Sequence, residues 1–150
     1  MAKKTTSKTA AQPEQPAGPN TLSAVLGEVV SLLMMHASHK HLFLTDLEWL
    51  VLPPLVLRQF RLWRQEDRPM AFASWALLSE EAEGRLMSGV RRLKPADWNG
   101  GDRAWLVDVV APNQDVAQKM VAELKSVVFK DRPLKALQAR ADGTMAGVEV

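Results

Sequence analysis

Leu22, Val25, Leu26, Val29, Val30 and Leu33 recur three, four, seven, eight and eleven positions from the first of them. That spacing makes one stripe of a 3.6-residue helix and predicts an amphipathic helix from about Thr21 to about Met35. The next segment, LTDLEWLVLPPLVLRQ, opens with Thr45 three residues before Glu48, a capping-box spacing. It predicts a short helix, bent or ended by Pro53 and Pro54. Phe60–Arg64 and Met70–Leu77 then flank Gln65–Pro69, a charged stretch ending in proline, which is the pattern of an antiparallel hairpin. Ser79 followed by Glu80, Glu81 and Glu83 marks a helix start, with an N-cap and acids that complement the dipole. Gly89 supplies a stop.

Lys94 to Arg103 reads as loop, broken by Pro95 and Gly100–Gly101. Trp105–Val110 is a dense run of β-formers closed by Pro112, and Val116–Phe129 returns to helical spacing through Met120, Val121, Leu124 and Val128. Leu134–Ala139 and Met145–Val150 are two weaker strands around the turn signal Ala141-Asp142-Gly143. The sum is an α/β or α+β domain, a single layer of mixed sheet with helices packed on it.

Composition narrows the picture. The chain has 150 residues, a one-domain length, with ordinary globular shares of 47% hydrophobic and 24% charged residues. The net charge is +2, and residues 1–20 carry all of it through Lys3, Lys4 and Lys8 against Glu14, leaving sixteen basic and sixteen acidic groups beyond them. The basic character therefore belongs to the tail, and the domain has no footprint for nucleic acid. That tail has three prolines and no Leu, Ile, Val or aromatic residue, so disorder is expected over 1–20 and a domain over 21–150. It lacks the apolar region of a secretory signal. The longest apolar runs, Val29–Met35 and Leu50–Leu57, fall far short of the roughly 20 residues that span a bilayer, so a soluble intracellular protein is expected. With no cysteine, disulfides, thiolate metal sites and cysteinyl intermediates are excluded.

Asp108 is the most unusual residue. It stands mid-strand among Leu106, Val107, Val109 and Val110, where a carboxylate is costly unless it is paired or hydrogen-bonded. A structural ion pair with Lys or Arg and a functional partner are both open. All three histidines, His36, His39 and His41, lie within six residues. They are compatible with a polar turn, with part of a metal site completed by a distant ligand, or with a general base whose tautomer a buried carboxylate such as Asp108 would fix. The Asn99-Gly100-Gly101-Asp102 segment lacks the spacing of a phosphate loop, and no G-x-S-x-G elbow occurs. Trp49, Trp63, Trp75 and Trp105 sit inside apolar runs and are expected in the core.

The segments LGEVVSLLMMHASHKHLFL, VLPPLVLRQFRLWR, PMAFASWALLSEEAE, LKPADWNGGDRAWLVDVVAP and VFKDRPLKAL resemble the RTX toxin-activating lysine acyltransferases, the family whose best-known member activates hemolysin. The resemblance runs from about Leu26 to about Leu137, and the KDR-x-x-K segment and final hairpin look closer to its shorter, rhizobial-type branch. It implies a fold like the GCN5-related N-acetyltransferases. It implies a cytoplasmic enzyme that moves a fatty acyl group from acyl carrier protein to internal lysines of an RTX protoxin, with no bound cofactor, no metal and dimers in some members. The family's catalytic histidine falls on His39 and its catalytic aspartate on Asp108, leaving His36 and His41 without that role. Gly101 matches a family glycine and is expected to shape the site. Arg103 is a candidate contact for an acidic carrier protein.

Two departures stand out. The family's Ser-Pro before its histidine is replaced within His36-Ala37-Ser38, and its Phe-Gly after Ala-Pro is replaced by Asn113-Gln114. The second change removes glycines from the loop where coenzyme A-dependent relatives bind pyrophosphate, which favours acyl carrier protein as donor. Together they raise an alternative, a catalytically weak relative that binds or chaperones an RTX-type protein.

Overall fold

Thr21 accepts a hydrogen bond from the Ala24 N–H at 3.2 Å and so caps the first helix, α1 (Leu22–Met35). The computed structural model describes residues 21–130 and 132–150, and the tail expected to be disordered lies outside the described residues. The predicted stripe of α1 buries Val29, Leu32 and Leu33 against Phe72 and Val110 of the sheet.

The second segment departs from its predicted start. Asp46 Oδ2 accepts from the Phe43 N–H at 2.7 Å, capping a 3-10 turn (Leu44–Asp46) that runs into α2 (Leu47–Leu50). Thr45 lies inside that turn and does not cap, because the carboxylate beside it reaches back to the free amide and is the stronger acceptor. The helix breaks at the prolines as predicted: α2 ends at Leu50, and Pro53 and Pro54 occupy the first turn of a second helix, α3 (Leu52–Leu57), where a missing N–H costs nothing.

The hairpin forms as β1 (Phe60–Gln65) and β2 (Arg68–Leu78), joined at Glu66 and Asp67, whose φ angles of 49° and 63° suit a tight two-residue turn. Pro69 is tolerated in β2 because the next strand pairs with β2 only from Phe72 onward. Ser79 caps α4 (Glu80–Met87), and Gly89 follows it at φ +105°. Then come β3 (Arg103–Val110), α5 (Gln114–Val127), β4 (Leu134–Ala139) and β5 (Met145–Glu149). The sheet runs β1-β2-β3-β4-β5, with β3 and β4 parallel and every other pair antiparallel. This is the mixed α/β sheet with packed helices that the sequence predicted. Helix α5 covers one face through Met120 and Leu124 against Ala73, Trp75 and Leu106, while α1, α3 and α4 cover the other.

The predicted loop from Lys94 to Arg103 is more ordered than expected. It holds a 3-10 turn (Pro95–Trp98), and Trp98 is wholly buried although it stands outside the apolar runs. Asp97 anchors the segment by accepting from both Arg85 terminal nitrogens, at 2.7 and 3.1 Å, and from the Lys94 N–H at 2.8 Å. The Arg85 hydrogen bonds hold the Asp97 carboxyl below its ordinary value despite the opposing effect of burial.

Candidate active site

Residues Leu106 to Asp108 decide which way the half-buried Asp108 carboxylate points. Leu106 pairs with Trp75 and Asp108 with Ser74, so Val107 is an extra residue and β3 carries a β-bulge there. Strict alternation would put Asp108 beside Ala104 and Leu106 on the α5 face. The bulge moves it instead to the opposite face, shared with Trp105, Val107 and Val110, where α1 and the chain following it lie.

The chain after α1 folds into a tight turn, in which the His39 and Lys40 amides both donate to the His36 carbonyl at 3.0 Å. The turn delivers His39 to the carboxylate, with Nε2 2.7 Å from Asp108 Oδ1 and side chains only 13% and 12% exposed. The partner of Asp108 is thus an imidazole, not the Lys or Arg of a structural ion pair. Asp108 Oδ2 is buried and has no partner among the described residues, so His39 is the group on which this carboxylate leans.

An ionised carboxylate only accepts hydrogen bonds, so beside one a neutral His39 carries its proton on Nε2 and its lone pair on Nδ1. That Nδ1 is enclosed: His36 Nδ1 lies at 2.9 Å and Ser38 Oγ at 3.1 Å, and Ser38 Oγ is also 2.8 Å from His36 Nδ1. The two rings meet edge to face with centroids 4.9 Å apart. The family resemblance gives His36 no catalytic role. The signal that could have found it is its spacing of three from His39, which in a turn places two side chains on one side. His41 is exposed and does not join them. Among the described residues no group of three His, Asp or Glu side chains is placed to hold a metal ion.

A shallow apolar cleft of about 160 Å³ opens beside His39, lined in part by Leu33, Met34, Leu42, Phe43 and Leu44. Its rim is unusually apolar for a surface, since Phe43 and Leu44 are 76% and 84% exposed.

Gly101 and Arg103 are not brought to this pair. Arg103 opens β3, five residues from Asp108 and therefore roughly 16 Å along the strand. Its guanidinium is engaged with Glu83 at 2.7 Å and Glu80 at 3.8 Å. Glu83 also accepts from Trp105 Nε1 at 2.7 Å and faces Lys135 at 3.5 Å. Burial raises the Glu83 pKa, but the Trp105 and Arg103 hydrogen bonds and the Lys135 charge outweigh it, so the carboxyl lies below its ordinary value. Gly101 is a packing glycine: a Cβ there would sit 2.3 Å from the Leu78 carbonyl oxygen.

A largely sheltered imidazole, held by an equally sheltered carboxylate, thus stands beside an apolar cleft. The fold and site define a class, α/β proteins with a histidine–aspartate pair beside an apolar cleft. The chain belongs to the RTX toxin acyltransferase family, whose family model matches residues 19–150. It is similar to the lysine-acyltransferase RtxC of Vibrio cholerae, 33% identical over 120 residues, covering 77% of this chain and 76% of that protein. It is also similar to the RTX-I toxin-activating lysine-acyltransferase ApxIC of Actinobacillus pleuropneumoniae, 39% identical over 93 residues (62% of this chain, 54% of that one). The protein-lysine myristoyltransferase HlyC of Escherichia coli is 35% identical over 91 residues (61% and 54%). The matched part thus spans little more than half the length of the last two relatives.

Proposed function

We propose that this protein is a protein-lysine acyltransferase, acting in the cytoplasm to move a fatty acyl group from acyl carrier protein to internal lysines of an RTX protoxin. The 2.7 Å contact between His39 and Asp108 is the observation that carries the reading. A lysine side chain is mostly protonated at neutral pH and must lose a proton before it can attack. As the amine nitrogen bonds to the thioester carbonyl carbon, the imidazole system takes its proton, and the carbon–sulfur bond then breaks to release the carrier thiol. Asp108 orients His39 and stabilises the imidazolium that forms. The chain has no cysteine, so the acyl group passes directly to lysine. The exposed Phe43 and Leu44 give a fatty chain an apolar bed beside His39. Arg103 stands at the far end of β3, at the distance a long thioester-bearing arm would bridge, and is the proposed carrier contact.

Incubation with acyl-loaded carrier protein and an RTX protoxin should add the acyl mass to protoxin lysines, and His39→Ala should slow the addition by about 10³-fold. A wild-type protein that binds the protoxin without modifying it would replace this reading with the chaperone alternative.

A further inference from the structure

We propose that His36 is the outer member of a two-imidazole relay, receiving the proton of the attacking amine at its Nε2 and passing its own Nδ1 proton inward to His39. The inference rests on the acyl-transfer reading and changes where the proton enters.

Both nitrogens of His39 are occupied: Nε2 by Asp108 at 2.7 Å, and Nδ1 by His36 Nδ1 at 2.9 Å with Ser38 Oγ at 3.1 Å. An incoming amine has no lone pair of His39 to reach. His36 is only partly buried, and among the described residues nothing hydrogen-bonds to its Nε2. Two imidazole nitrogens 2.9 Å apart must share a proton, since two facing lone pairs repel. His39 Nδ1 bears a lone pair, so the proton sits on His36 Nδ1. The Ser38 hydroxyl, 2.8 Å from that nitrogen, leads to the same tautomer, for it can accept from His36 while donating to His39. Either way the free base of the assembly is His36 Nε2.

The protons balance. The lysine ammonium sheds its first proton to water as it is desolvated. When the carbon–nitrogen bond forms, the second goes to His36 Nε2, and the His36 Nδ1 proton moves to His39 Nδ1, leaving an imidazolium against Asp108. When the carbon–sulfur bond breaks, the sequence reverses and His36 Nε2 returns a proton to the departing sulfur.

Long-range nitrogen–proton NMR correlations on the folded protein read the tautomers without any substrate. The expected result is His36 protonated at Nδ1 and His39 protonated at Nε2; a His36 ring protonated at Nε2 alone overturns the relay. With tetradecanoyl-loaded carrier protein and an RTX protoxin, His36→Ala should lower kcat about 10²-fold with KM within about twofold, and dissolved imidazole should restore at least a tenth of the loss. His41→Ala should leave the rate unchanged. An undiminished rate in His36→Ala, or a loss that imidazole cannot restore, overturns the relay. Wild-type protein that shows the expected tautomers but transfers no acyl group overturns the acyl-transfer reading and leaves the proton network standing.

Discussion

His39 Nε2 lies 2.7 Å from Asp108 Oδ1 across 69 residues of sequence. What holds them together is the core beneath: Val29, Leu32 and Leu33 of α1 pack with Phe72 and Val110, and Val110 is two residues beyond Asp108. The site is therefore mounted on a packed helix and a central strand. Asp108→Asn should keep the fold and lower the acyl-transfer rate by about 10³-fold, because the carboxamide can donate to Nε2 and reverse the His39 tautomer. His39→Ala should cost a similar factor, and the double variant little more than either single one, since the two act as a unit. Rates on RTX protoxin followed by intact mass, with circular dichroism on each variant, decide this; additive losses would break the pairing.

The elements of this fold were largely legible because their signals are local. Thr21, Ser79 and the stripe through Val29 and Leu33 fix helices with little help from the rest of the chain. What stayed hidden depends on neighbours. Alternation along Leu106-Val107-Asp108-Val109 gives the wrong face for the carboxylate, because a bulge arises from pairing with β2 and leaves no mark in a run of apolar residues. Trp98 reads as a loop residue, and only Arg85, clamped on Asp97 twelve positions further on, explains why its segment is buried. The pairing of His39 with Asp108 was legible from the resemblance and from the cost of burying Asp108. The enclosure of His39 Nδ1 by His36 was not, since it depends on how a short turn closes.

Gly101 sits where the loop after Trp98 crosses the end of β2, with its N–H donating to the Leu77 carbonyl at 2.9 Å. A methyl group there meets backbone, with Leu78 O at 2.3 Å and Ser79 Cα at 2.7 Å, and neither can swing aside as a side chain would. Gly101→Ala should destabilise the domain by about 3 kcal/mol. For a chain of this length that corresponds to a melting temperature lower by roughly 6–12 °C. Activity per folded molecule should change little, because the glycine stands at the opposite end of β3 from Asp108. A kcat loss at unchanged melting temperature would contradict the packing role.

Asp97 should make stability fall in acid. Its carboxyl, held by Arg85, ionises below the ordinary value near 3.8, so between that value and the lowered one the unfolded chain binds more protons than the folded one. The contribution is fully present above the ordinary carboxyl range and is lost as pH falls through the lowered folded value. Asp97→Asn should flatten this acid limb. It should also cost about 1 kcal/mol at neutral pH by weakening the cap on the Lys94 N–H. Urea midpoints at about pH 6 and about pH 3 measure both effects; an equally steep acid loss in the variant would assign the limb to other carboxylates.

The rim beside His39 offers a test of what the cleft receives. Phe43 and Leu44 are so exposed that replacing both with serine should leave stability within about 0.5 kcal/mol. If a fatty chain lies across them, the variant loses apolar contact in proportion to the methylenes covered, each worth about 0.8 kcal/mol when fully buried. Partial cover of two or three methylenes corresponds to a fall in kcat/KM of about tenfold for a tetradecanoyl donor. A donor carrying a chain too short to reach the rim should be unaffected, because His36, His39 and Asp108 are untouched. The ratio of long-chain to short-chain rates is therefore the quantity to measure, as it cancels any change in the amount of active protein. Equal losses on both donors would place the chain elsewhere, and a change in sedimentation with both rates preserved would make Phe43 and Leu44 a contact between copies of the protein.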